Sequence, residues 1–359
     1  VELPRSDLVS TSRSPRLRIF ANGQVLTGAI QADVLSNNYY AADRFSVTAA
    51  LGADPWANVA FWASATNIPV DVQFSLDGGA SFTSLVQGTV DNISIDPALG
   101  LVFFDGRDLA ATLIEARTEE TFAMRAASEI ASLLAQRHNL AARVSPTTTP
   151  VGRYYRAEHD RTTLNQFCRA TTEWDLLAFL AQQEGFDLFV QGQALCFQPA
   201  TQTSDLTLTL SAQDLLELKL ARSLTLARDI EVVVKSWNSR QNSAYSQQVG
   251  ANQSDGVEQS SRSPQRYVFI RPNLTPGDAL KFAKNKVAEL TRHERTVRIT
   301  MPGELVLTPR SVVAIRDTGT DFDQSYLIDV IERRFRQDGG LVQDILAHNS
   351  SPRSSATTA

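Results

Sequence analysis

The amino-acid sequence predicts an α+β fold in which two β domains flank a small α+β domain. Three observations carry this reading. Up to Gly106 the chain alternates apolar and polar side chains in short runs separated by Gly, Asn, Asp and Pro turns. Residues 107–200 change to helical spacing and close on a hairpin. From residue 205 the period of two returns. The predicted units are a first β domain over 1–106, an α+β domain over 107–200, a second β domain over 201–350 and a disordered tail over 351–359. Of 359 residues 43% are hydrophobic and 20% charged, so each unit has apolar side chains for its own core and wholesale disorder is excluded.

In the first domain, RLRIF and QVL (16–26) form a hairpin because Asn22-Gly23 accepts the positive φ angles of a type I′ turn. RFSVTAAL (44–51) puts Phe45, Val47, Ala49 and Leu51 on one face. VDVQFSL (70–76) does the same with Val70, Val72, Phe74 and Leu76, ahead of an Asp77-Gly78-Gly79 turn. NISI and LVFFDG add two short strands, and the set suggests a barrel or a sandwich.

In the second, TFAMRAASEIASLLAQRHNL (121–140) spaces Phe122, Ala126, Ile130, Leu133 and Leu134 as a helix, with Arg137 and His138 at its carboxyl end. SPTTTPVG (145–152) is a loop. Two more helices start at capping boxes, Thr163 with Gln166 and Thr172 with Asp175. The latter aligns Trp174, Leu177, Ala178 and Ala181 and stops at Gly185. EGFDLFVQGQALCFQPA (184–200) then alternates through Phe186, Leu188 and Val190, turns at Gln191-Gly192 and returns through Leu195 and Phe197. That hairpin carries no nucleophile or phosphate cradle and is built to pack.

In the third, Leu206, Leu208 and Leu210, then Ile230, Val232 and Val234, mark strands. Residues 238–265 are rich in Ser, Gln and Asn, a composition that buries no core and reads as a long, mobile insertion. Thr275-Pro276-Gly277-Asp278 starts a helix over 276–292 with Ala279, Ala283, Val287 and Leu290 as its buried stripe. TVRIT, ELVL, SVVAIRD, YLIDVIERRF and LVQDILAH complete the strands.

The search for chemistry returns bland readings. A net charge of −5 and a pI near 5.5 argue against a dedicated nucleic-acid binder. Cys168 and Cys196 make no disulfide framework, and the four histidines, 138, 159, 293 and 348, are scattered with no ligand spacing. No GxSxG elbow, GxGxxG fingerprint or P-loop is present. Glu173 and Asp175 diverge around a helix and read as its negative first turn, and Asp321 and Asp323 as a polar turn. Arg333, Arg334 and Arg336 read as a solvated or subunit-contact strand edge. Trp56, Trp62 and Tyr39-Tyr40 read as packing residues. No signal-peptide layout and no apolar run of ~18 residues occurs, so the expectation is a soluble chain matured in a reducing cytoplasm. No catalytic, cofactor-binding or metal residue is assigned, and the chain reads as a non-enzyme.

Three segments in this order, FDGRDLAATLIEA, EWDLLAFLAQQEGFDLFVQGQALCFQP and TMPGELVLTPRSVVAIRD…YLIDVIERRF, resemble the phage late control D family over residues 16 to 348. Its members are baseplate hub proteins of contractile tails, and the same architecture resembles the hub portion of type VI secretion spike proteins. The resemblance implies that both β domains are tube-like barrels and that the chain is a homotrimer. Three chains of two barrels then form a pseudo-six-fold ring between a hexameric tail tube and a trimeric spike. It further implies a virion baseplate location after assembly in the host cytoplasm. The implied partners are the spike, the tube or a tube initiator, and baseplate wedge and tape-measure proteins, with DNA as transient cargo in the lumen and no membrane insertion. Residues 238–265 match no family motif, and the spike is expected as a separate partner. The rival readings are a tail-tip cell-wall hydrolase and a host glycan-binding module.

Overall fold

The computed structural model describes residues 13–117, 122, 125–148, 150–151, 172–200, 207–224, 230–238, 243–251, 265–271, 274, 276–291 and 293–349. The Thr163–Gln166 box, Thr275, Cys168, His159 and the tail lie outside them.

The first unit runs β1 (Arg16–Ala21), β2 (Gln24–Leu26), β3 (Ala29–Asn37), β4 (Arg44–Ala50), α1 (Val59–Ser64), β5 (Pro69–Ser75), β6 (Thr83–Asp96) and β7 (Leu101–Asp108). The β1–β2 turn has Asn22 at φ 50° and Gly23 at φ 76°, as the Asn-Gly pair requires. Phe45, Val47 and Ala49 of β4 are buried together with Val70, Val72 and Phe74 of β5. NISI is not a separate short strand. It is the distal part of the 14-residue β6, bent by a bulge between Val90 and Asn92. At that bend Gly106 is obligatory, because a Cβ there would lie 2.0 Å from the Thr89 carbonyl oxygen.

The middle unit comprises α2 (Ala110–Glu115), β8 (Arg125–Ala126), α3 (Ala127–Arg137), β9 (Ala141–Val144), β10 (Pro150–Val151), α4 (Glu173–Glu184), β11 (Phe186–Gln191) and β12 (Ala194–Pro199). Helix α4 is capped as its sequence dictates: Thr172 Oγ1 accepts from the Asp175 N–H at 3.1 Å, and Gly185 takes the left-handed conformation at φ 72°. Leu188, Val190, Leu195 and Phe197 of the β11–β12 hairpin bury one face against Ile130 and Leu134 of α3 and Leu177 and Leu180 of α4.

The last unit holds β13 (Thr207–Ser211), β14 (Glu217–Arg222), β15 (Ile230–Asn238), β16 (Ser243–Ala251), β17 (Gln265–Ile270), α5 (Pro276–Thr291), β18 (Arg295–Pro302), β19 (Val312–Arg316), β20 (Ser325–Arg336) and β21 (Gly340–Asn349). Two expectations fail here. Residues 243–251, read as mobile insertion, form β16, paired antiparallel with β15 along its length. A polar sequence serves because β16 lies at the edge of a three-stranded sheet, and α5 supplies that sheet's apolar cover through Ala279 and Ala283. ELVL (304–307) is not a strand. Its backbone is held by side chains instead: the Glu304 N–H donates to Gln343 Oε1, and the Glu304 and Leu307 carbonyls accept from Arg333.

The first and last units share one 13-stranded sheet, because β3 pairs with β4 on one side and with β20 on the other. The architecture is α+β and mostly strand. The strand ladder is open among the described residues, running from β14 to β2 without closing into a ring.

Candidate functional site

Residues 38–43, between β3 and β4, touch every unit. The Asn38 N–H donates to the Asp329 carbonyl at 2.8 Å, and the Tyr40 hydroxyl to the Phe186 carbonyl at 2.7 Å. The Trp174 indole N–H donates to the Tyr40 carbonyl at 2.7 Å. Asp43 accepts from the Asn37 N–H at 2.9 Å, and its own carbonyl accepts from Asp108 N–H at 2.9 Å. A cavity of about 380 Å³ opens beside this loop, lined by Asp43, Asp108, Arg143, Arg310 and Arg333.

The cavity's charges are structural. Arg333, 2% exposed, gives its guanidinium N–H groups to the Glu304 and Leu307 carbonyls, and burial pulls its pKa down to about 10 against the pull of Glu304 and Asp43. Burial likewise lowers Arg310, whose guanidinium carbon lies 3.5 Å from the Phe189 ring centre. Burial pushes Asp43 up to about 6, with its Asn37 bond opposing. Burial, then the neighbouring Asp43, raises Asp108 well above the carboxylate range. The edge assigned to Arg333, Arg334 and Arg336 is thus corrected, since β20 is an interior strand between β3 and β21. Only Arg334 and Arg336 reach the surface, where they pair with Asp344 and Asp33.

Other sequence candidates disperse. Asp175 stays in the first turn of α4, but Glu173 is buried there and bonds both Arg137 and His138. Asp323 accepts from the Thr318 and Gly319 N–H groups, while Asp321 turns to Arg295. Trp62 stacks on Phe104 at 5.1 Å, inside the first core. Cys196 is buried, which raises its thiol pKa.

One cluster had no signal in the sequence. His293, Asp329 and His348 come together although they are far apart along the chain: His293 Nε2 lies 3.2 Å from Asp329 Oδ2, and His348 Nδ1 2.8 Å from Asp329 Oδ1. The ends of the large sheet form a second kind of candidate surface. Edge strand β14 and its flanks expose Leu216 (64%) and Leu224 (72%), and β2 exposes Val25 at the opposite end.

No protein-family model matches the sequence, and no curated protein matches it in sequence. The structure, in contrast, has the fold of phage tail proteins. It aligns with the prophage MuSo2 43 kDa tail protein from Shewanella oneidensis at a TM-score of 0.68 and 16% identity, covering 94% of this chain and 99% of that one. A tail protein from Neisseria meningitidis MC58 aligns at 0.66 and 13% identity, covering 93% and 96%. An Escherichia coli component of the type VI secretion system aligns at 0.52 and 9% identity, covering 92% and 76%; it is described as similar to T4 bacteriophage tail proteins gp27 and gp5.

Proposed function

We propose that this chain is the structural hub of a contractile-tail baseplate, in a phage or phage-like particle, with no enzymatic role. Three copies form a ring in which residues 1–106 and 201–350 act as tube-like domains and residues 107–200 brace the outside. The ring joins the hexameric tail tube to the trimeric spike, surrounds the DNA passage, and meets wedge and tape-measure proteins at its margins.

The observation that carries this reading is the fused sheet with an open strand at either end, β14 and β2. A head-to-tail contact between unlike edges closes into a ring when the rotation allows, and closure covers both of these edges, leaving β13, which branches off the path through β19, as a further edge. The fold shared with tail proteins along nearly the whole chain supports the same conclusion. The test is native mass by light scattering, alone and with the candidate spike. A mass near three times 39.4 kDa, with annular particles in negative stain, is expected. A chain that stays monomeric and binds no tail component overturns the proposal.

A further inference from the structure

His293, Asp329 and His348 are aimed at one another by two separate backbone irregularities. Asp329 is the extra residue of a bulge in β20, where Ile328 pairs with Ala347 and Val330 with Leu346. Such bulges re-aim a side chain that the strand would otherwise turn elsewhere. His293, between α5 and β18, has φ 68°, a left-handed conformation uncommon for a residue with a side chain. His348 reaches the same point from β21, and the two imidazole centres lie 4.5 Å apart.

The geometry points to a binding site for one first-row divalent transition-metal ion, held by His293 Nε2, His348 Nδ1 and an Asp329 carboxylate oxygen. Two imidazoles and one carboxylate suit Zn²⁺ or Fe²⁺ better than Ca²⁺ or Mg²⁺, which prefer oxygen. The donor spacings of 2.8 and 3.2 Å resemble the roughly 2.9–3.4 Å between neighbouring ligands of an ion with bonds of about 2.0–2.1 Å. All three donors lie within 4.8 Å of one another. Tyr39 lies beside Asp329 as well, in the place of an outer partner for a ligating carboxylate. Asp329 and His348 side chains are each 3% exposed and His293 39%, so the ion enters from the His293 side. The site pins the start of β18 to β20 and β21, and this inference is independent of the hub proposal.

The experiment uses the full chain without an affinity tag, stripped with EDTA and dialysed. Zn²⁺ is titrated by calorimetry, and Co²⁺ by its visible absorption. One Zn²⁺ per chain, a rise in Tm, and a loss of at least about tenfold in affinity in His293→Ala are expected. Because His293 is partly exposed, the metal-free variant should stay folded, with only a small fall in Tm from the lost Asp329 contact. In the parent, Zn²⁺ should also shift the imidazole NMR signals of two of the four histidines, a readout that needs no variant. Absence of binding at millimolar Zn²⁺, or binding unchanged by His293→Ala with no paired histidine shift, overturns the site and leaves a hydrogen-bonded latch.

Discussion

Two seams hold the three units together, and they are made differently. The seam between the first and last units is a backbone ladder, β3 on β20 from Gln31↔Arg336 to Asn37↔Val330. Apolar packing backs it, with Phe335 stacked on Phe74 at 6.1 Å and Leu341 buried in the first unit's core. The seam that docks the α+β unit is instead assembled from side chains: Tyr40 on Phe186, Trp174 on Tyr40, Arg310 over Phe189, and Lys281 on Glu184 at 2.7 Å. A laddered seam opens only with its sheet, whereas a side-chain seam can open while both cores persist. The two β units are therefore expected to behave as one body and the α+β unit as a docked one.

The largest effect should come from Arg333→Met. The substitution leaves the buried Glu304 and Leu307 carbonyls without their donor, at a cost of about 3–5 kcal/mol. If the laddered seam is one cooperative body, amide exchange should accelerate together in residues 31–37 and 330–336. Exchange confined to 304–310 would mean that Arg333 only anchors a loop.

Trp174→Phe probes the other seam. It removes the indole donor to the Tyr40 carbonyl and leaves a small void, costing about 1–3 kcal/mol. Protease sensitivity and amide exchange should rise in residues 173–199 while β3 and β20 stay protected. Equal loosening of both seams would dissolve the distinction between them.

These seams also divide what the sequence disclosed. The second half of the docked unit was legible: the Thr172 cap, the Gly185 stop and the alternation from Phe186 to Phe197 are local chemistry, written in adjacent residues, whereas Ala126, read as helical, pairs in β8 with β10, inside the stretch read as a loop. The ladder was not. Strand β3 mixes Gln31 and Asp33 with Ala32 and Val34, and its second partner lies some 300 residues away, so nothing nearby marks it as the central strand. Arg333 looked solvated because a charge in an alternating run usually is; the carbonyls that bury it belong to a segment that itself resembled a strand. The polar β16 and the histidine cluster were hidden for the same reason, since a sheet edge needs no apolar pattern and a bulge leaves no composition.

Asp43 sits where the seams meet and should give a smaller, pH-dependent effect. Burial raises its pKa to about 6 from the ordinary 3.8 of an aspartate, so the folded chain holds a proton that the unfolded chain has lost between these pH values. Stability from this group is full below about pH 4, falls as pH rises, and is lost above about pH 6. Asp43→Asn should raise stability at pH 7 by about 1–2 kcal/mol, since it removes a buried charge, a gain reduced because a neutral amide accepts the Asn37 N–H less strongly than the carboxylate. The gain should vanish at pH 4. A gain that persists there would trace to something other than ionisation.

The smallest effect should be at the rim of the ladder, where Arg336 meets Asp33 at 2.6 Å with both side chains about a third exposed. Water and salt screen such a pair, so a double-mutant cycle of Arg336→Gln with Asp33→Asn should return only about 0.2–1 kcal/mol, shrinking as salt is added. The comparison of seams depends on this number being small. If the ladder and the Phe335 stack hold the β units together, the paired charges at its margin are dispensable. A salt-insensitive coupling above about 2 kcal/mol would move the strength of the first seam from backbone to side chains, and make it the same kind of joint as the second.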